Sequence, residues 1–104
     1  MIASDGLTVE TSSEGGLQVV TLAGEIDFGN VSKLRAALIE VARQDADAEI
    51  RMGEVTFLDS TALGVLVQAK KRIEESGHRM GMVDITPRVK RTLEVAGLAD
   101  YLGV

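Results

Sequence analysis

The side chains with the most chemical potential in this chain are three consecutive oxygen-bearing residues, Asp59, Ser60 and Thr61. They stand between the apolar run Val55-Thr56-Phe57-Leu58 and the stretch that begins Ala62-Leu63-Gly64-Val65-Leu66. A strand ending at Leu58 and a helix starting around Ser60 or Thr61 leave unpaired backbone N–H groups and the positive end of a helix dipole at this junction. Two readings follow. In one, Ser60 or Thr61 accepts a phosphoryl group, which a helix start tolerates and which changes the surface charge by about −1.5 to −2. In the other, Asp-Ser-Thr is an ordinary helix cap.

Hydrolytic chemistry at Ser60 fares worse. The glycine-flanked nucleophile elbow is absent, and the only histidine, His78, follows Gly77 beyond the far end of the helix, where a solvated turn residue is expected. No phosphate-binding loop, dinucleotide glycine pattern, HExxH sequence or EF-hand loop occurs. The chain has no cysteine, which removes disulfides, thiolate metal sites and thiol catalysis. Asp45 and Asp47 are expected as helix-end and loop solubilisers rather than metal ligands. No catalytic residue, metal or cofactor is therefore expected, and the protein reads as a binding module rather than an enzyme.

The surface chemistry narrows the partners. A formal net charge of −5 opposes a nucleic-acid surface, and only Phe28, Phe57 and Tyr101 are aromatic, too few for base stacking. Two basic groups interrupt this acidic background. Lys70, Lys71 and Arg72 fall in the C-terminal half of their helix, where cations complement the dipole. Arg88, Lys90 and Arg91 begin a helix, where the dipole disfavours them, so for Arg88 or Arg91 a binding role stands beside simple solvation. No apolar run approaches the ~18 residues needed to span a bilayer, and the N-terminal segment lacks signal-peptide character. A cytoplasmic protein without direct membrane insertion is expected.

The elements that position the junction can be placed by periodicity. With 104 residues and 45% hydrophobic side chains, the chain has room for one domain, 1–104, with an aliphatic core. Leu7-Thr8-Val9-Glu10-Thr11 and Leu17-Gln18-Val19-Val20-Thr21-Leu22 read as a hairpin around Ser12-Ser13-Glu14-Gly15-Gly16. Asn30 is placed to cap a helix carrying Val31, Leu34, Leu38 and Val41 on one face. Ala48-Glu49-Ile50-Arg51-Met52 is a weaker strand, followed by Gly53-Glu54 and the apolar run to Leu58. The second helix runs from Ser60 or Thr61 to before Gly77, with Leu63, Leu66, Val67, Lys70 and Ile73 along one side and Val65 and Ala69 widening its apolar face. Arg79-Met80-Gly81-Met82-Val83 supplies a last strand, in which Met80 and Met82 are expected to pack. Thr86-Pro87 opens a third helix with Val89, Leu93 and Ala96 on one face, closed by Gly97. The order β-β-α-β-α-β-α predicts an α/β fold: a mixed, mostly parallel sheet with an N-terminal hairpin and helices packed on it. Functional rims of such sheets lie at the carboxyl ends of strands, which would place Gly24-Glu25-Ile26-Asp27 beside Asp59-Ser60-Thr61.

Three segments, GEID at 24–27, VTFLDSTALGVLV at 55–67 and TPRVKRTLEVAGL at 86–98, resemble the STAS-domain family of bacterial anti-sigma factor antagonists. With the element order they span nearly the whole chain. The resemblance implies that Ser60 is phosphorylated by an anti-sigma factor that is also a serine kinase, with Thr61 the fallback acceptor. The unphosphorylated form would bind that partner and release the sigma factor, and a serine phosphatase would reset the cycle. It further implies a partner-binding surface of Asp27, Asp59, Ser60, Thr61 and Leu63 on a monomer or weak dimer. The family also contains non-switching modules, such as transporter-ATPase subunits and signalling scaffolds, and these form the alternative. Arg51 stands where many relatives carry an acidic or amide residue, Gly53-Glu54 where they carry a small residue plus glycine, and Ala62 where many have glycine. The chain stops at Val104, short of the further helical residues of many antagonists, so any contact made by that segment is expected to be missing.

Overall fold

The computed structural model describes residues 3–104; Met1 and Ile2, within the segment read above for targeting signals and within the expected domain 1–104, lie outside the described residues. The elements are β1 (Leu7–Glu14), β2 (Leu17–Ile26), α1 (Val31–Ala42), β3 (Ala48–Leu58), α2 (Ser60–Glu75), β4 (Met80–Val83) and α3 (Pro87–Val95). They build a single α/β domain around one four-stranded sheet of order β1-β2-β3-β4. β1 pairs antiparallel with β2, whereas β2 with β3 and β3 with β4 pair in parallel, each through a crossover helix.

The hairpin is tighter than expected. Ser12, Ser13 and Glu14 belong to β1 and pair with Val19, Gln18 and Leu17, leaving a two-residue turn. Gly15 and Gly16 make that turn, with φ of 59° and 89°, a combination glycine adopts without strain and one that matches the twist of hairpin strands. Polar side chains at Ser12 to Glu14 are tolerated because this end of β1 is exposed. β2 likewise runs on through Gly24, Glu25 and Ile26 instead of ending before them.

β3 is one continuous strand in which the weak strand and the apolar run merge. Thr21 pairs with Arg51, Ala23 with Glu54 and Glu25 with Phe57, so β3 carries one extra residue in each of two steps along β2. These bulges explain a burial pattern that strict alternation cannot. Ile50, Met52, Val55 and Leu58 all face the core despite their uneven spacing, with Ile50, Val55 and Leu58 opposite Val20, Gly24 and Ile26 of β2. Without the bulges, Val55 would point to solvent, since it alone of the four is out of phase with Ile50.

Helices α1 and α2 contact each other and the sheet, and α3 packs against β3. Val31, Leu34, Leu38 and Val41 of α1 are buried, as are Ala62, Leu63, Val65, Leu66, Ala69 and Ile73 of α2. All of these join one aliphatic cluster that includes Met80 and Met82, while Phe28, Phe57 and Tyr101 stay exposed. In α3, Val89 and Leu93 are buried, but Ala96 is an exposed C-cap residue rather than part of the buried face. Gly97, at φ 74°, reverses the chain so that Leu98 N–H reaches Leu93 C=O at 2.9 Å. Arg79 precedes β4 and is not part of it.

Asn30 occupies the N-cap position of α1 but makes no side-chain capping bond. Its side chain turns back to the strand ends. Nδ2 donates to Asp5 C=O (3.0 Å) and Glu25 C=O (2.9 Å), and Oδ1 accepts from Asp27 N–H (2.9 Å). At 4% exposure it is the one buried polar residue among those described, and its three bonds satisfy main-chain groups that would otherwise be desolvated without partners. The helix start is served instead by Asp27 C=O, which accepts from Val31 N–H at 2.8 Å. Asn30→Ala is expected to lower unfolding free energy by about 2–4 kcal/mol, because several buried polar groups lose partners at once. Urea denaturation checks this, and a loss below about 1 kcal/mol would contradict the assigned role.

Candidate functional site

The parallel pairing of β2 and β3 brings Ile26 beside Leu58, so the segments leaving both strands start from the same edge. Asp59 N–H donates to Ile26 C=O at 3.1 Å, extending the ladder by one residue before the chain turns into α2. The expected adjacency of GEID and Asp-Ser-Thr is therefore present, with the main-chain register as its cause.

Asp59 is the N-cap of α2, in extended backbone geometry. One carboxylate oxygen, Oδ1, accepts from Ala62 N–H (3.0 Å) and from the Thr61 hydroxyl (2.5 Å). The other, Oδ2, accepts from Phe28 N–H at 2.9 Å, across 31 residues of sequence. A single side chain thus caps the helix and ties the β2–α1 loop to the β3–α2 junction. Partial burial works against ionisation of Asp59. The hydrogen bonds from the Thr61 hydroxyl and from the Ala62, Phe28 and Thr61 backbone outweigh it and hold the carboxyl below its ordinary value of 3.8.

The two candidate hydroxyls differ in consequence. Thr61 is half-buried and donates to Asp59, whereas Ser60 is exposed and its side chain makes no hydrogen bond to another described residue. Asp27 sits on the neighbouring loop, where its carboxylate accepts from Gly29 N–H at 2.9 Å. A Cβ at position 29 would lie 3.2 Å from that carboxylate oxygen, so glycine there keeps the loop tight. Leu63 is 7% exposed and serves mainly the core, yet its edge borders the groove described next.

Between the starts of α2 and α3 lies an open groove of about 710 Å³, lined among others by Asp59, Ser60, Leu63, Arg88, Arg91 and Val95. Phe28 and Val95, each 81% exposed, present apolar surface beside this site, Phe28 through its bond to Asp59 and Val95 in the groove wall. Neither residue was singled out from the sequence. An apolar residue inside the Asp27-Phe28-Gly29-Asn30 turn was the available signal for Phe28.

The remaining polar candidates lie elsewhere. His78 and the two loop aspartates are not isolated solvated groups: His78 Nε2 is 2.9 Å from Asp45 and Nδ1 is 3.4 Å from Asp47. Asp47 also accepts from Arg79 N–H, so the cluster joins the loops that lead into β3 and β4. It sits at the start of β3, with the length of that strand, roughly 30 Å, separating it from Ser60. His78 is thus not placed to act as a base on Ser60. Lys70 pairs with Glu74 at 3.1 Å and lies over the Tyr101 ring, a structural role. Among the described residues no cluster of histidine and acidic groups could hold a metal ion, and no helix is long and apolar enough to cross a membrane.

The site thus sits on a mixed sheet opened by a hairpin, with an acidic cap and an exposed serine at the end of its third strand. The STAS domain model matches residues 8–104. The chain is 34% identical over 92 residues to the anti-sigma-B factor antagonist of Bacillus subtilis, covering 88% of this chain and 84% of that one. Its structure superposes with a TM-score of 0.86 on an anti-sigma factor antagonist from Mycobacterium paratuberculosis, at 25% identity, covering 98% of this chain and 87% of that one. It also superposes with a TM-score of 0.71 on the Bacillus cell fate determinant SpoIIAA in its phosphorylated form, at 20% identity over 90% of this chain and 87% of that one, a likeness of fold. The chain belongs to the STAS domain family.

Because the Asp59 carboxyl titrates below 3.8 in the folded state, its contribution to stability is present above that value and disappears as pH falls through the lower folded value. Asp59→Ala is expected to cost about 1–2 kcal/mol at pH 7, the range of a lost N-cap, and less below pH 3.8. Denaturation of both proteins at pH 7 and pH 3 checks this, since Asp5 titrates in both and cancels in the difference. A gap that does not narrow on acidification would contradict it.

Proposed function

We propose that this chain is an anti-sigma factor antagonist that works in the cytoplasm as a binding protein, and that a phosphoryl group on Ser60 switches its partner off. The carrying observation is that Ser60 offers an exposed hydroxyl at the strand end while the neighbouring Thr61 hydroxyl is held by Asp59. The relatives named anti-sigma-B factor antagonist and the phosphorylated form of SpoIIAA support the same reading. In the transfer, Ser60 Oγ bonds to the γ-phosphorus of ATP, the bond to the bridging oxygen breaks, ADP leaves, and the hydroxyl proton passes to a base on the anti-sigma kinase. A serine phosphatase returns the hydroxyl by hydrolysis.

The partner surface in this reading comprises Asp27, Asp59, Ser60, Thr61 and the exposed edge of Leu63, with Phe28 and Val95 as apolar anchors. An anchor of this size excludes water best near the centre of an interface, so polar changes there are costly. A phosphoryl group brings about −1.5 to −2 charges to that centre. One unit charge about 5 Å from a carboxylate, at an effective dielectric near 20, is repelled by roughly 3 kcal/mol. Since about 1.4 kcal/mol is a factor of ten in affinity, even a screened fraction lowers binding substantially without any change of fold.

Isothermal titration of Ser60→Ala and Ser60→Asp against the anti-sigma kinase of the same genome tests the switch. Ser60→Ala is expected to bind within about 3-fold of the unphosphorylated protein, and Ser60→Asp at least about 10-fold more weakly, a difference of ~1.4 kcal/mol. Equal affinities would overturn the switch. Stable binding to a transporter ATPase by all three proteins would point to the non-switching module.

A further inference from the structure

The two arginines at the start of α3 have no evident structural reason to be there. Arg88 lies in the first turn and Arg91 three residues on, the spacing that puts both on one helix face. The first turn of α3 contains no acidic residue, so the unfavourable interaction of Arg88 with the helix dipole is not offset locally. Neither guanidinium forms an ion pair with a described residue, and Arg88 makes only a 3.5 Å contact to Thr56 C=O. Four other cations find carboxylates, Lys33 with Asp5, Arg43 with Glu40, Arg51 with Glu14 and Glu49, and Lys70 with Glu74. Arg35, Lys71, Arg72, Arg79 and Lys90 form no ion pair with a described residue, so what sets Arg88 and Arg91 apart is the groove they share with Ser60.

Both arginines line the groove that also holds Ser60. Asp59 is the one carboxylate in its lining, and its oxygens already accept from Thr61, Ala62 and Phe28. The remaining wall is largely apolar, with Leu58, Leu63, Pro87 and Val95, so few other polar groups of the groove compete for an anion there. A guanidinium presents a planar fork of donors that matches phosphate oxygens in a bidentate arrangement, which an ammonium does not.

We propose that Arg88 and Arg91 clamp the phosphoryl group of phosphoserine 60 across the groove, so that the modified side chain is held by the same domain. The proposal rests on Ser60 being the acceptor, as argued above. The clamp sets the off state in two ways. It fills the groove, covering the Leu63 and Val95 edges, and it occupies two guanidiniums that would otherwise be open to an acidic partner. It also shields the ester oxygens, so hydrolysis by a phosphatase requires the clamp to open first.

The test uses the full chain with phosphoserine installed at position 60 during translation, which needs no kinase. Phosphorus NMR titration of that protein is compared with the same protein carrying Arg88→Gln and Arg91→Gln, and with a third carrying Arg88→Lys and Arg91→Lys. The second ionisation of an unperturbed phosphoserine falls near about pH 6. The clamp predicts a midpoint lower in the parent than in the double glutamine variant by about half a pH unit or more, since nearby cations favour the dianion. The lysine variant is expected to fall between them. Coincident midpoints for parent and glutamine variant would overturn the clamp. If the unphosphorylated double variant fails to match the parent by circular dichroism and melting temperature, Arg91→Gln alone replaces it, with the same two outcomes. Titration of the anti-sigma kinase with the phosphoserine protein is a separate readout: undiminished binding there would overturn the switch, whatever the NMR midpoint.

Discussion

The bonds to Asp59 are the interaction on which the rest of this site depends. Its two oxygens serve three ends: capping α2, restraining the Thr61 hydroxyl, and anchoring Phe28 N–H, which closes the rim between two strand ends. Each bond alone is modest, but together they keep the carboxylate ionised and fix two loops that are distant in sequence. Because Thr61 answers to Asp59, Ser60 is left as the hydroxyl that faces solvent. The difference in exposure between two adjacent alcohols thus has a cause in helix capping.

Asn30 complements this from beneath. Asp59 joins the rim at the surface, whereas Asn30 joins the same loop to the segment before β1 and to the end of β2 from inside the fold. Lys33 adds a tie on the same side, reaching Asp5 and Leu7 C=O. The loop carrying Asp27 and Phe28 is therefore held from below by a buried amide and from above by a carboxylate. A partner meeting this surface encounters a largely preorganised backbone, which reduces the ordering cost of association.

Much of this was legible in the residues. Helix positions followed from a 3.6-residue apolar period, and the cap at Asp59 and the Thr86-Pro87 start followed from side chains that act locally. The strands were harder. Ser12 to Glu14 look like a loop because their side chains are polar, yet the backbone pairs regardless of side chain where one face meets water. Asn30 reads as a helix cap in any local window, and only tertiary structure shows that three main-chain partners compete for it. His78, Asp45 and Asp47 come together through the meeting of two connections, and the shared groove of Ser60, Arg88 and Arg91 through the packing of α3 on β3. No local pattern encodes either meeting.

The two bulges of β3 also govern how this chain can change length. Removing one residue between Arg51 and Glu54 would restore plain alternation there and leave Val55 and Leu58 opposite Gly24 and Ile26, whereas a deletion between Ala48 and Arg51, where the pairing is regular, would turn over the side chains on one side of it. The bulges are therefore the places in this strand where a one-residue change can be taken up, as the exposed Gly15-Gly16 turn can take it up in the hairpin. Length is thus negotiable at the hairpin tip and at two points inside β3, and rigid in the regularly paired stretch between Ala48 and Arg51.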